Sequence, residues 1–371
     1  MSKKNSPSNN GDAWYVQEGP FDDVVLSTKV TLCRNLANFP FPKKMTIADA
    51  ERVEAIIFDA FNHLDPQDNY QIVSVSKLDD LGVRILKERD MLETNKVSAS
   101  GVAMRMDGKI SCTVNIEDHL HIYSFETGFN ADCAIDLCRD LDKKLQKKIQ
   151  FAASYDFGYL TSSLLDAGSG MKILYFLHLP SLSALGRIPD VSKAAGERGL
   201  VFSATYGSAS SSENVFNQQG VSLGAFYKIE SKNSFTGSEY DQLVQLASFC
   251  RTLIDKEISA RDECKARYIS TIQNEVYRAY ALTKFSKFIT YREGLVFLSY
   301  IKWGLNLGLI GECQNHLLYA LLFRIQNAHL EYVLNSTDFN FEKDIADNTE
   351  RKVCRLRAFI IQEAFETLTL S

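Results

Sequence analysis

The chain has 371 residues, 45% of them hydrophobic and 23% charged, the balance of a globular protein too long for one ordinary core. About two domains are expected. A formal net charge of -5 excludes a general nucleic-acid binder, which would carry a basic bias, and no apolar run reaches the ~18 residues that span a bilayer.

Residues 1–12 are polar and hold no apolar signal-peptide core, which predicts a disordered tail and a cytoplasmic protein. Two alternating runs, 102–106 and 109–114, flank Asp107-Gly108 and predict a hairpin whose two turn residues both take positive φ. The second run leads into Asn115-Ile116-Glu117-Asp118-His119, read as more strand, so that His119 and His121 share a face. Two imidazoles are too few ligands for a metal site, so the pair reads as a structural His119 and a surface or phosphate-facing His121. A helix is expected from about 132 to 149, with Lys143, Lys144, Lys147 and Lys148 on its solvated face. Residues 171–179 are almost continuously apolar, as a central strand would be, and Pro180 closes them. The serine- and glycine-rich stretch 207–220 reads as a mobile loop or a plain linker.

Beyond Gly237 the character becomes helical. Ser238 is an expected N-cap, and no Pro or Gly recurs until Gly294, a span expected to hold two or more helices. Another helix is expected from 293 and a last one over 351–368. The eight cysteines contain no C-x-x-C pair and read as reduced, mostly buried thiols. Trp14 and Trp303 read as packing residues.

Four separated segments, in order, resemble the ATP:guanidino phosphotransferases, the phosphagen kinases and above all the bacterial, McsB-like protein-arginine kinases. Trp14, Gly19-Pro20 and the run Val24 to Leu36 resemble W-x-x-x-x-G-P and I-V-L-S-S-R-I-R-L-A-R-N-L. Asn115 to Tyr123 resembles N-E-E-D-H-L-R-I-Q. Residues 157–180 resemble G-F-L-T through G-T-G-L-R to H-L-H-L-P. Residues 299–310 resemble S-x-L-R-L-G-x-D-L-G-L-I, and Arg357-Ala358 echoes the end of R-D-x-x-R-A.

The resemblance implies an α+β fold. A glutamine synthetase/guanidino kinase-like catalytic domain, an antiparallel sheet flanked by helices, would occupy 13–232. An all-helical domain that dimerises and binds phosphoarginine would occupy 233–371. It also implies ATP and Mg²⁺, protein substrates with exposed arginines, an activator, a Clp-type chaperone or protease, a homodimer, and no nucleic-acid or membrane partner.

Phosphoryl transfer depends on positioning and on neutralising spread negative charge, which favours guanidinium clusters. Residue by residue, the nucleotide-binding strand becomes Ser27, Thr28, Lys29, Val30 and Thr31, with Lys29 and Thr31 at the two arginine positions. His121 and Lys172 stand at two further arginine positions, and Arg198 matches the arginine of an R-G-L motif. Glu117 matches the carboxylate that orients the acceptor guanidinium, and Asp118 the residue that holds a Mg²⁺-bound water. The second catalytic glutamate, of a Y-G-E motif, aligns with Ser208, leaving Glu213 as its candidate substitute. Ser163 takes the place of a cysteine beneath the substrate. Arg357 is expected to be solvated, with a phosphoarginine-binding role implied by the motif alone. Two readings follow: a divergent kinase built on Glu117, or a pseudokinase that scaffolds protein quality control. A phosphoarginine reader or free-arginine kinase is a third.

Overall fold

The computed structural model of the protein describes residues 13–92, 99–210, 213, 218, 220–232, 239–311 and 315–370. The expected tail, much of the 207–220 loop and the Ser238 cap lie outside them. Eight strands form one sheet: β1 (Val25–Arg34), β2 (Tyr70–Ser74), β3 (Gly101–Arg105), β4 (Ile110–Val114), β5 (Leu120–Thr127), and, after the two-residue pair β6 (Ala153–Ser154) and β7 (Gly158–Tyr159), β8 (Met171–His178), β9 (Leu200–Ala204) and β10 (Phe226–Ser231). Their order is β2-β3-β4-β5-β1-β8-β10-β9, with every neighbouring pair antiparallel. The α+β expectation is met.

Alternation along the strands decides which side chains reach which face. On β1, Val30 and Leu32 are buried with Ile122, Ile173 and Ile229 in the core beneath α1 (Ile47–Asn62), α3 (Ala131–Leu145) and α5 (Ile188–Glu197). Lys29, Thr31 and Cys33 therefore face the other way. The expected hairpin forms between β3 and β4, but its turn differs from the prediction. Only Gly108 takes positive φ, at 70°. The Asp107 carboxylate accepts from Lys109 N (2.9 Å) and pairs with Arg105 (2.8 Å), so a side chain closes a wider loop.

After α2 (Asp80–Glu88) and the short α4 (Pro180–Ala184), the helical half begins with α6 (Glu239–Phe285), one unbroken helix of 47 residues where two or more were expected. Nothing in its sequence interrupts the backbone, and both of its halves find apolar partners. Leu246, Phe249, Leu253 and Ile254 join the core under the sheet, whereas Ile272, Val276 and Ala279 join the core of the helical half. Each of these Leu, Ile, Val and Phe side chains is worth ~1.5–3 kcal/mol when fully buried. The helices α7 (Tyr291–Leu307), α8 (Asn315–Arg324), α9 (Asn327–Ser336) and α10 (Thr349–Ala364) complete it, and β11 (Ile310–Gly311) pairs with β12 (Thr369–Leu370). Thr290 caps α7 in a capping box with Glu293.

The two halves are joined by polar groups aimed at the turn before β1. Arg261 Nη1 donates to Asp23 Oδ2 (2.5 Å), Lys302 Nζ to Asp22 O (2.9 Å) and Asn306 Nδ2 to Asp23 O (3.2 Å). On the opposite side, Glu88 accepts from the backbone N–H groups of Ala328 and His329 at the start of α9 (2.7 and 3.1 Å). With a bond from Tyr319 OH of α8 to Ser27 Oγ of β1 (2.8 Å), these contacts place α7 and α8 over the uncovered face of the sheet.

Candidate active site

The segment expected to prolong β4 instead leaves the sheet. Val114 ends the strand, Asn115 takes a positive φ of 56°, and residues 115–119 form a bend before β5. Asn115 holds the bend down by donating from Nδ2 to the carbonyls of Ala50 (2.9 Å) and Ala99 (2.7 Å). His119 and His121 then point to different surroundings. His119 accepts from Leu36 N at Nδ1 (2.9 Å) and contacts Pro40 O through Nε2 (3.0 Å), a structural role.

Asp118 lies at the centre of a closed network. Its Oδ1 accepts from Asn35 Nδ2 and from Ser162 N (both 2.6 Å), and its Oδ2 meets His121 Nε2 (2.9 Å). Burial alone would raise its pKa. The contact with His121, together with the donors Ser162 and Asn35, outweighs burial and brings the carboxyl to about 2. His121 Nδ1 contacts Tyr123 OH (3.0 Å). Burial disfavours its charged form, yet Cys33, Tyr123 and Asp118 around it hold the imidazole well above its usual range. Asn35 ties the parts together, because its Oδ1 also accepts from His119 N (2.9 Å) and its Nδ2 reaches Leu160 O (3.0 Å). Next to it, Arg34 makes a two-pronged pair with Asp142 (3.0 Å each) and donates to Ser169 O (3.1 Å), fixing the 168–170 turn. Gly170 is required there: a Cβ would lie 2.7 Å from Cys33 O.

In front of this wall stands Glu117, exposed and without a partner among the described residues. It is close enough to Lys172 to help stabilise the ammonium. Burial lowers the Lys172 pKa, but a 2.7 Å pair with Asp166 and the nearby Glu117 leave it raised overall. Ser163 is exposed on the adjoining loop.

Along the same face a cleft of about 210 Å³ opens between the sheet, the end of α2 and the helices α7 and α8. Trp14, Phe125, Phe176, Tyr206, Tyr291 and Tyr319 give it aromatic walls, and Lys29, Lys87, Arg89 and Lys228 give it positive charge. Lys29 lies over the Tyr123 ring (4.5 Å) and donates to Asp90 O (3.2 Å); Lys228 pairs with the Asp90 carboxylate (3.2 Å). Lys228 and Asp90 carry no local motif and were missed in the sequence. The polar residue between Tyr227 and Ile229, which face the helix-side core on β10, is the signal that would have found Lys228.

The domain description "ATP:guanido phosphotransferase, C-terminal catalytic domain" matches residues 52–260, and "Protein-arginine kinase McsB C-terminal domain" matches residues 269–370. The chain belongs to the ATP:guanido phosphotransferase family. Among its relatives, a protein-arginine kinase of Geobacillus sp. (strain WCH70) is 26% identical over 90% of this chain and 91% of its own. One of Desulforamulus reducens is 27% identical over 100% and 99%, and one of Bacillus licheniformis is 28% identical over 93% of each. The fold is shared with a duplicated taurocyamine kinase from Schistosoma mansoni (TM-score 0.57, 17% identity, 73% of this chain and 40% of that one). It is shared also with lombricine kinase (TM-score 0.54, 20% identity, 68% and 72%). Among the described residues no helix is long and apolar enough to cross a membrane.

Within this guanido phosphotransferase frame the remaining candidate residues fall in several places. Lys29, Thr31, His121 and Lys172 share the open face, since β1 pairs Lys29 with Phe125, Thr31 with Tyr123 and Cys33 with His121, while Thr31 also faces Lys172 on β8. His121, expected at the surface or facing phosphate, is instead 6% exposed and held inward by Asp118 and Tyr123. Asp118 is buried, with its Oδ1 held by Asn35 and Ser162 and its Oδ2 turned to His121. Ser27 accepts from Tyr319 OH (2.8 Å), Thr28 donates to Gly128 O (2.6 Å), and Val30 belongs to the helix-side core.

Arg198 ends α5 and lies over Phe249 of α6 (5.0 Å), on the helix-covered side of the sheet, so it does not reach the cleft. The strand residue that pairs with Lys228 is Ser203. Glu213 is bound at both oxygens by Arg292 of α7 (3.0 and 2.8 Å), which holds its carboxyl at about 2, and it lines a cavity beside Pro180 and Tyr300. That is the far end of β8 from Lys172 and Glu117. Arg357, expected in solvent, is 1% exposed and donates to Ile325 O (2.8 Å), Ile289 O (2.9 Å) and Asn327 Oδ1 (2.5 Å). Those acceptors make it a clamp between helices.

Proposed function

We propose that this member of the family transfers the ATP γ-phosphate to arginine side chains of proteins, with turnover reduced by its lysine-based phosphate site. The observation that carries the reading is Glu117: an exposed, unpartnered carboxylate beside Lys172, at the edge of a sheet face that carries Lys29 and Lys228. Glu117 would orient the acceptor guanidinium and take its proton. The aromatic cleft would take the base and ribose, and Lys29, Lys228 and Lys172 the phosphate oxygens. Lysines keep charge but lose the two-pronged geometry of guanidinium. Mg²⁺ would enter with the nucleotide and help neutralise the phosphates. Each missing preorganised charge costs ~10²–10³ in rate, and the losses are not additive.

Protein substrates with exposed arginines, and a cytoplasmic setting, follow from this reading. A second copy, an activator or a Clp-type chaperone would be the protein's partners, and the helical half leaves the apolar side chains Phe285 (82%) and Tyr332 (54%) exposed. A catalytically impaired pseudokinase is the second reading, favoured by the placement of Arg198 and Glu213 away from Glu117 and by the inward-held His121.

Incubation with Mg-ATP and an arginine-rich acceptor protein separates the two. Acid-labile label that is lost in Glu117→Gln supports transfer. Nucleotide-dependent thermal stabilisation without label supports the pseudokinase. Absence of both defeats each ATP-based reading.

A further inference from the structure

Two imidazoles beside acids were too few for a metal site on sequence grounds. The fold turns His119 elsewhere but gives His121 and Asp118 a third donor from far away in the chain. Cys33 on β1 is the register partner of His121 on β5. Its Sγ, an Asp118 carboxylate oxygen and a His121 ring nitrogen all lie within 4.8 Å of one another, and all three residues are buried.

We propose that Cys33, Asp118 and His121 form a three-ligand site for a zinc-class divalent ion. Thiolate, imidazole and carboxylate together suit zinc and its neighbours rather than Mg²⁺ or Ca²⁺, which take oxygen ligands. The surroundings have the form that metal ligands need. His121 Nδ1 is held by Tyr123 OH (3.0 Å), which leaves Nε2 for the ion. Asp118 Oδ1 is held by Asn35 and Ser162 (2.6 Å each), which leaves Oδ2, the atom already facing Nε2. The nearby Lys172 ammonium is paired with Asp166 (2.7 Å) and so opposes a second cation less. Three protein ligands leave a fourth position for water.

Such an ion would link β1, β5 and the bend that carries Glu117, setting that bend without touching substrate. The proposal does not depend on phosphoryl transfer, and its readouts are independent of activity. The full-length protein, freed of metal by chelation and then given Zn²⁺ alone, should bind about one equivalent and melt roughly 3–5 °C higher. With Co²⁺ alone it should show a sulfur-to-metal charge-transfer band at one equivalent. The band should vanish in Cys33→Ala and persist in Cys133→Ser, which changes an exposed thiol outside the cluster. If Cys33→Ala fails to fold, the native protein still decides: Zn²⁺ should slow alkylation of Cys33 in mild urea, mapped by mass spectrometry. No stoichiometric binding, a band that survives Cys33→Ala or disappears in Cys133→Ser, or unprotected Cys33 would overturn the site.

Discussion

The buried network around Asp118, the wall of the site, and the exposed charges in front of it, its mouth, are built on opposite principles. At the back, Asn35, Asp118, His119 and His121 satisfy one another and neighbouring backbone groups in a buried network. At the mouth, Glu117 has no partner among the described residues, and Lys29 and Lys228 share Asp90 in partly exposed contacts. A fully satisfied buried network is rigid, and breaking one member strands the rest. Exposed charges cost little to rearrange. The wall therefore fixes geometry, while the mouth keeps the charges that a ligand would engage.

Cutting the wall should have the largest effect. Asn35→Ala removes donors to Asp118 and Leu160 O and the acceptor for His119 N, and should lower unfolding free energy by ~3 kcal/mol in urea titrations. A loss under ~1 kcal/mol would mean the network is not what holds the bend. A second buried acid sharpens the point through pH. Glu257 is fully buried and accepts from the N–H groups of Ser181 (2.9 Å) and Leu182 (3.0 Å), yet burial pushes its carboxyl up to about 7. Because the folded value is raised, its contribution is full below the ordinary glutamate range and is lost as pH rises through about 7. That step amounts to ~2–3 kcal/mol. Glu257→Gln should flatten stability between pH 5 and 8, roughly, when melting is followed against pH.

At the mouth, Asp90→Asn should shift stability by less than ~0.5 kcal/mol. By releasing Lys228 it should tighten nucleotide binding about two- to tenfold in calorimetry, and an unchanged or weaker affinity would remove the lysines from the phosphate site. Glu117→Gln should have the smallest effect on folding, within ~0.5 kcal/mol, while acid-labile label falls about 10²-fold or more. An appreciable loss of stability would place Glu117 with the wall instead.

The sheet and the helical half were legible because strand alternation and the Pro- and Gly-free stretch after Gly237 are local signals. Family motifs located the open face through Lys29, His121 and Lys172. What stayed hidden was non-local. The bend at 115–119 depends on Asn115 reaching Ala50 and Ala99, and the burial of His121 depends on Asp118 being filled by Asn35 and Ser162. Arg198 was misplaced because an R-G-L match fixes position along the chain but not which side of the sheet a side chain takes. Arg357 was read as solvated because neighbouring arginines suggested a polar helix face, whereas its acceptors come from the ends of other helices.

The two family regions meet between residues 260 and 269, inside α6. That helix is common property of both cores, so neither half owns a complete interior. Cutting the chain at 232/233 would remove Leu246, Phe249 and Leu253 from beneath the sheet. Heat should therefore melt the molecule in a single cooperative transition, with the calorimetric and van't Hoff enthalpies in agreement. A mutation in one half would then be felt as lost folding free energy by the other.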